Sequence, residues 1–109
     1  MKRYCLALDL VDNPECIAEY ERYHQAIWPE IRDSITNSGI IAMEIYRVGN
    51  RVMMIMEVND TFSFESKALA DAKNHKVQEW ESVMWKYQQA LPIAKPGEKW
   101  LLMDKIFEL

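Results

Sequence analysis

Tyr20 and His24 stand four residues apart in a stripe that also holds Ile17, Ile27, Trp28, Ile31 and Ile35. Spacings of three and four put these residues on one helix face, with Tyr20 and His24 one turn apart. An imidazole, with a reference pKa of about 6.5, gives and takes protons near neutrality and so suits general acid–base work. Next to a phenol on an apolar face, it points to proton transfer in a sheltered pocket. The same pair also serves elsewhere as a hydrogen-bonded core histidine beside a core aromatic. Pro29 favours the pocket: it has no N–H for the carbonyl of Gln25, so the helix must break or kink between His24 and Pro29. A break there opens space beside the imidazole. Tryptophans are the second signal. Trp28 lies at the break, while Trp80 and Trp85 lie in a later helical stretch with Met84 and Tyr87. Flat indole faces pack cores, and they are also surfaces on which a sugar ring can stack.

Other chemistries lack carriers. His24 and His75 are the only histidines, with no His-x-x-x-His spacing, and Cys5 and Cys16 match no zinc or redox motif. No phosphate loop, dinucleotide fingerprint or nucleophile elbow occurs. The expectation is therefore a protein without metal or cofactor. A net charge of −4 and a pI near 5.2 offer no basic surface for nucleic acid or anionic membrane. No apolar run approaches the roughly 20 residues of a membrane helix. The basic start, Lys2-Arg3, meets Asp9 before a signal-peptide core can form, and the two thiols are expected to be reduced. These features predict a cytoplasmic protein. His75 and the charge run from Asp71 to Lys76 read as a solvated face.

The chain that must position Tyr20 and His24 has 109 residues, 50% hydrophobic and 28% charged, enough for one domain (1–109) with a real core. Tyr4, Leu6, Leu8 and Leu10 alternate with Arg3, Cys5, Ala7 and Asp9, the period of a strand. Asp12-Asn13-Pro14-Glu15 opens the helix of the stripe, and Ser38-Gly39 stops it. Ile40–Val48 and Arg51–Val58 flank Gly49-Asn50 as a hairpin. Phe64 to about Leu91 reads as a second helical stretch with a break at Asn74-His75, and Lys99–Leu109 as a last strand. The order β-α-β-β-α-β is the ferredoxin-like pattern: α+β, a four-stranded antiparallel sheet with helices on one face. In the third and last strands both faces are largely apolar. The simplest cover for the second face is another copy, sheet to sheet about a two-fold axis.

Tyr20-Glu21-Arg22-Tyr23-His24-Gln25-Ala26-Ile27-Trp28-Pro29-Glu30 resembles the Y-x-x-x-H-x-x-I-W-P-E segment of the L-rhamnose mutarotases. The likeness runs over nearly the whole chain, through Ile45-Tyr46, Glu57 and a late W-x-x-x-M helix. It implies a dimeric α+β barrel, a homodimer, and cofactor-free interconversion of the α and β anomers of a 6-deoxy-L-sugar. Carried over by position, His24 matches the family's proton donor and Tyr20 a substrate-contacting tyrosine. Met43 stands where the family has a strand tyrosine. The family's adjacent tryptophan pair is absent: matching Gln78-x-Trp80-x-x-x-Met84 puts Trp80 first and Glu81 second, while another register uses Trp85. The first register preserves more residues. These departures leave both L-rhamnose and L-fucose as substrates.

The expected site is thus a pocket of Tyr20, His24, Trp28, Met43 and Trp80. His24 would protonate the ring oxygen, and Glu81 or a held water would deprotonate the anomeric hydroxyl. The alternative is a sugar-binding or small-aromatic-binding dimer of the same fold without catalysis. A cofactor-free monooxygenase or haem-handling protein is a third reading, on fold analogy alone.

Overall fold

The computed structural model describes residues 1–109. The alternating leucines form β1 (Lys2–Leu10), and Leu6, Leu8 and Leu10 are buried on one side of it. Asn13 then starts α1 (Pro14–Gln25): its Oδ1 accepts from the backbone N–H groups of Glu15 at 2.8 Å and Cys16 at 3.2 Å. The expected break follows. Ala26–Trp28 leave the helical path, and Pro29 opens α2 (Pro29–Asn37) as its first residue. Proline is well placed there, since its missing N–H has no helical partner to lose. The hairpin strands are β2 (Ile40–Val48) and β3 (Arg51–Val58), as the alternation predicts. A bulge between Ile40 and Ala42 shifts the β2 register. Ser63 and Asn74 cap two further helices, α3 (Phe64–Ala72) and α4 (His75–Trp85), so the second helical stretch does break at Asn74-His75.

Two expectations need correction. The second helix ends at Trp85 rather than near Leu91. The chain turns back to form β4 (Gln88–Gln89), which pairs with Asp9 and Leu10 of β1. Pairing to a free sheet edge outweighs the helical propensity of Gln88 and Gln89. The last strand is also short: β5 (Leu101–Leu102) pairs with Leu6 and Ala7, and Met103 donates its N–H to the Cys5 carbonyl at 2.8 Å. Beyond that the apolar alternation is interrupted by Asp104-Lys105, the chain leaves the edge, and Ile106, Phe107 and Leu109 are exposed.

The sheet is antiparallel, in the order β2-β3-β1, with β4 and β5 sharing the outer edge of β1. Its helix-facing side carries Leu8, Leu10 and Val52, packed on Tyr20, Ile31, Val77, Trp80 and Met84, and Leu6, Met56 and Val58, which form a second cluster with Ile40 against Ile35 and Phe62. This is the ferredoxin-like arrangement. The other side has no helix over it. Register places Cys5, Ala7, Met53, Ile55 and Tyr46 in its middle, between the ion pairs Arg3–Glu57 (2.9 Å) and Arg51–Asp9 (2.7 Å). That face is apolar along β1 and β3 at the centre and charged towards both ends, and β2 adds Glu44 opposite Ile55, where it accepts from the Tyr46 hydroxyl at 3.0 Å.

Gly39 shows how tightly the helix–strand junction is drawn. Its φ is +100°, and a Cβ built there would lie 2.5 Å from Asn59 Oδ1, the acceptor for both Thr61 N and Thr61 Oγ1. Gly39→Ala is expected to destabilise the fold by about 1–3 kcal/mol from backbone strain, with a further loss as the Asn59 turn is displaced. Chemical denaturation of both proteins checks this; equal midpoints would contradict it.

Candidate active site

The break after α1 leaves His24 on the last helical turn, facing the core side of the sheet. Its Nδ1 lies 2.7 Å from the Tyr20 carbonyl oxygen, and the two rings are 4.4 Å apart. A carbonyl only accepts, so Nδ1 carries the hydrogen and, in the neutral ring, Nε2 keeps its lone pair. Burial holds the imidazole pKa below its usual 6.5, partly countered by the bond to Tyr20. The ring is therefore neutral at neutral pH. Tyr20 is itself buried, 4% exposed, and burial raises its phenol above the ordinary value of 10. Gln88 Nε2 donates to the Tyr20 hydroxyl over 3.5 Å.

Trp80 completes the cluster from α4. Its ring meets His24 edge-on at 5.6 Å, Tyr23 at 6.0 Å and Trp28 at 5.1 Å. Beside these rings a cavity of about 660 Å³ opens between the helices and the helix-facing side of the sheet. Tyr20, His24, Met43, Trp80 and Glu81 all line it. Trp28 does not. It caps α2 with extended backbone (φ −61°, ψ 140°), which puts its indole behind Trp80 and under Lys76, whose Nζ is 5.7 Å from the ring centroid. Trp28 braces the wall and is not part of it. Trp85 lies outside the cavity, with Lys99 Nζ 4.7 Å above its ring. Glu81 is half-buried and accepts from Gln78 Nε2 at 3.4 Å.

The sequence gives no direct sign of two polar features of this cavity. Gln88 lines it because β4 turns the side chain inward. Ser34, Lys67 and Asp71 form a closed network: Lys67 Nζ donates to both Asp71 oxygens at 2.9 and 2.8 Å and to Ser34 Oγ at 3.2 Å, and Ser34 Oγ donates to Asp71 Oδ1 at 3.0 Å. Asp71 is consequently half-buried, whereas the charge run it begins reads as solvated; His75, Lys73 and Lys76 are exposed as that reading expects. No helix is long and apolar enough to cross a membrane. No group of three or more His, Cys, Asp or Glu side chains is close enough to hold a metal ion.

The model of the L-rhamnose mutarotase family matches residues 3–109. The chain belongs to that family. An L-fucose mutarotase of Xanthomonas campestris pv. campestris is 43% identical over 111 residues, covering 100% of this chain and 89% of the relative. A UPF0734 protein of Dictyostelium discoideum is 33% identical, covering 99% and 90%. An L-rhamnose mutarotase from Formosa agariphila shares the fold, with a TM-score of 0.72 at 19% identity, covering 100% and 99% of the two chains. The ferredoxin-like fold expected from the element order is thus the fold of this mutarotase family member. Membership also makes it an isomerase acting on sugar anomers, with no support for the binding-only reading.

Proposed function

We propose that the protein interconverts the α and β anomers of a 6-deoxy-L-hexose in the cavity of Tyr20, His24 and Trp80, with L-fucose favoured over L-rhamnose. The preference for L-fucose rests on the 43% identity, over the whole chain, to a protein named an L-fucose mutarotase. The observation that carries the mechanism is the 2.7 Å bond between His24 Nδ1 and the Tyr20 carbonyl.

Ring opening moves one proton from the anomeric hydroxyl to the ring oxygen as the C1–O5 bond breaks and C1 becomes a carbonyl. Both oxygens are bonded to C1, so one imidazole edge can serve both. Neutral His24 takes the hydroxyl proton on Nε2 and returns it to the ring oxygen as that oxygen leaves. After rotation about C1–C2, the steps run in reverse on the other carbonyl face. His24 thus acts as the proton donor to the ring oxygen only after acting as the base, and no separate base is required. Glu81 has the role of a hydrogen-bonding wall residue, Trp80 offers a stacking face, Met43 an apolar contact, and Tyr20 orients both the imidazole and the sugar.

His24→Gln is expected to lower catalysed anomer exchange about 10²–10⁴-fold, with sugar affinity changed only a few-fold. Trp80→Ala is expected to weaken binding more than turnover at saturation, and Glu81→Gln to leave the rate within a few-fold. Saturation-transfer NMR on L-fucose and L-rhamnose reads these rates directly. Undiminished exchange by folded His24→Gln would contradict the assignment, and a large loss in Glu81→Gln would return the base role to that carboxylate.

The unit that works is proposed to be a homodimer. The chain exposes 7819 Å², about 1,500 Å² more than a compact monomer of 12.9 kDa should. A standard interface takes about 800 Å² from each partner. The sheet face centred on Ala7, Met53 and Ile55 is the patch to cover, with exposed Phe107 and Leu109 at the chain end adding apolar surface. Sedimentation at micromolar concentration should find twice 12.9 kDa; a stable 12.9 kDa particle would contradict it. A cytoplasmic location fits Cys5 and Cys16, which are both unpaired.

A further inference from the structure

Gln88 is a polar side chain on the apolar side of the sheet. Its partner across the β1–β4 ladder is Leu10, which is completely buried on the helix-facing side. Residues directly opposite in an antiparallel pair share a face, so Gln88 also points towards the helices while Gln89, opposite Asp9, points away. The side chain is half-buried and lines the same cavity as Tyr20 and His24. Its one side-chain hydrogen bond is the 3.5 Å contact to the Tyr20 hydroxyl, well beyond the usual 2.9–3.0 Å. A carboxamide has two donor hydrogens and an acceptor oxygen, and so most of its capacity faces the cavity unspent. Catalytic and binding hydrogen bonds that are long in the free protein commonly shorten once a ligand is present.

We propose that Gln88 is a specificity-determining residue of this site, its carboxamide gripping one hydroxyl of the sugar against the Tyr20 hydroxyl. A sugar hydroxyl both donates and accepts, and a carboxamide held beside a phenol can answer it in both directions. Neighbouring wall residues Met43, Ile27 and Met54 offer no hydrogen bond, so they suit the 6-methyl group and ring C–H faces rather than the hydroxyls. L-fucose and L-rhamnose differ only in the direction of their hydroxyls at C2 and C4. A site that discriminates them needs a fixed polar group, and hydrogen-bond recognition rejects a misplaced hydroxyl more strongly than apolar fit does. Gln88 is fixed at its backbone by two-residue pairing to β1, which holds its carboxamide within 3.5 Å of the Tyr20 hydroxyl.

This inference rests on the mutarotase reading above, and one set of measurements separates the two. Anomer exchange of L-fucose and of L-rhamnose is measured by saturation-transfer NMR for the wild type, Gln88→Met and Gln88→Glu, with circular dichroism to establish folding. Gln88→Met keeps length and apolar bulk, while Gln88→Glu keeps the acceptor and removes the donors. The expected result for Gln88→Met is a KM for the preferred sugar raised about two- to tenfold, the loss of one useful hydrogen bond. Its kcat should fall by less, and the ratio of the two sugars' kcat/KM values should move towards one. Gln88→Glu should change that ratio as well. A Gln88→Met protein that keeps both the wild-type KM and the wild-type sugar ratio overturns the proposal and leaves the mutarotase reading intact. A wild type that exchanges neither sugar overturns both. If Gln88→Met does not fold, Gln88→Glu alone decides: an unchanged sugar ratio overturns the assignment.

Discussion

The bond from His24 Nδ1 to the Tyr20 carbonyl, 2.7 Å long, sets the chemistry of the cavity because it decides which nitrogen is free. With Nδ1 committed to the backbone, Nε2 is the nitrogen left for the proposed proton transfer, and desolvation favours the neutral ring, in which that atom carries no proton. The same burial makes a lasting imidazolium costly, so in the proposed reaction charge is held only while the proton is in transit. Everything around the bond serves to keep it in place. Tyr20 is anchored in the core beside Leu8 and Leu10, Trp80 sits edge-on to the imidazole, and Trp28 presses on Trp80 from behind.

The bond exists at an accessible place because the helix stops. Had α1 run on past Gln25, the next turn would have covered the imidazole. Pro29 prevents that by having no N–H to give, and the three residues before it cross to α2 without helical pairing. The cavity is therefore a consequence of backbone chemistry at one proline, with the aromatic wall built around it. The antiparallel sheet supplies the floor, and its own alternation forces half of its side chains away from the site. That second face carries Ala7, Met53 and Ile55 between two ion pairs, and it is the surface proposed to meet a second copy.

The parts of the molecule legible in the sequence are those governed by local chemistry. Asn13 caps α1, Pro29 restarts the helix, Gly39 takes the positive φ at the junction, and the two hairpin strands begin and end where alternation says. Tyr20 and His24 could be grouped because helical spacing puts both on one face, whereas Trp80 joined them, ahead of Trp85, only through the register of the family resemblance. What could not be read depends on contacts between distant segments. Gln88 and Gln89 carry ordinary helical residue types, and only the vacant edge of β1 draws them into a strand. Residues 103–109 have their alternation interrupted by Asp104-Lys105 and leave the β1 edge after Met103, although Lys2–Tyr4 of β1 continue that edge. Trp28 shares the stripe of His24, but its place behind Trp80 follows from the extended backbone at the α2 cap. Asp71 looks like part of a charged surface until Lys67 and Ser34 are seen to enclose it.

The claim that His24 enters the reaction as a neutral base is tested most directly by the pH dependence of the catalysed exchange rate, with spontaneous exchange subtracted. A ring with its pKa held below 6.5 is deprotonated through the neutral range, so kcat/KM should be flat above about pH 7. It should fall as pH drops through that lowered pKa, approaching about tenfold per unit, because the protonated ring has no lone pair to offer. A rate that is instead highest in acid and declines as pH rises through 6.5 would mean that the imidazolium begins the reaction, and would contradict the account.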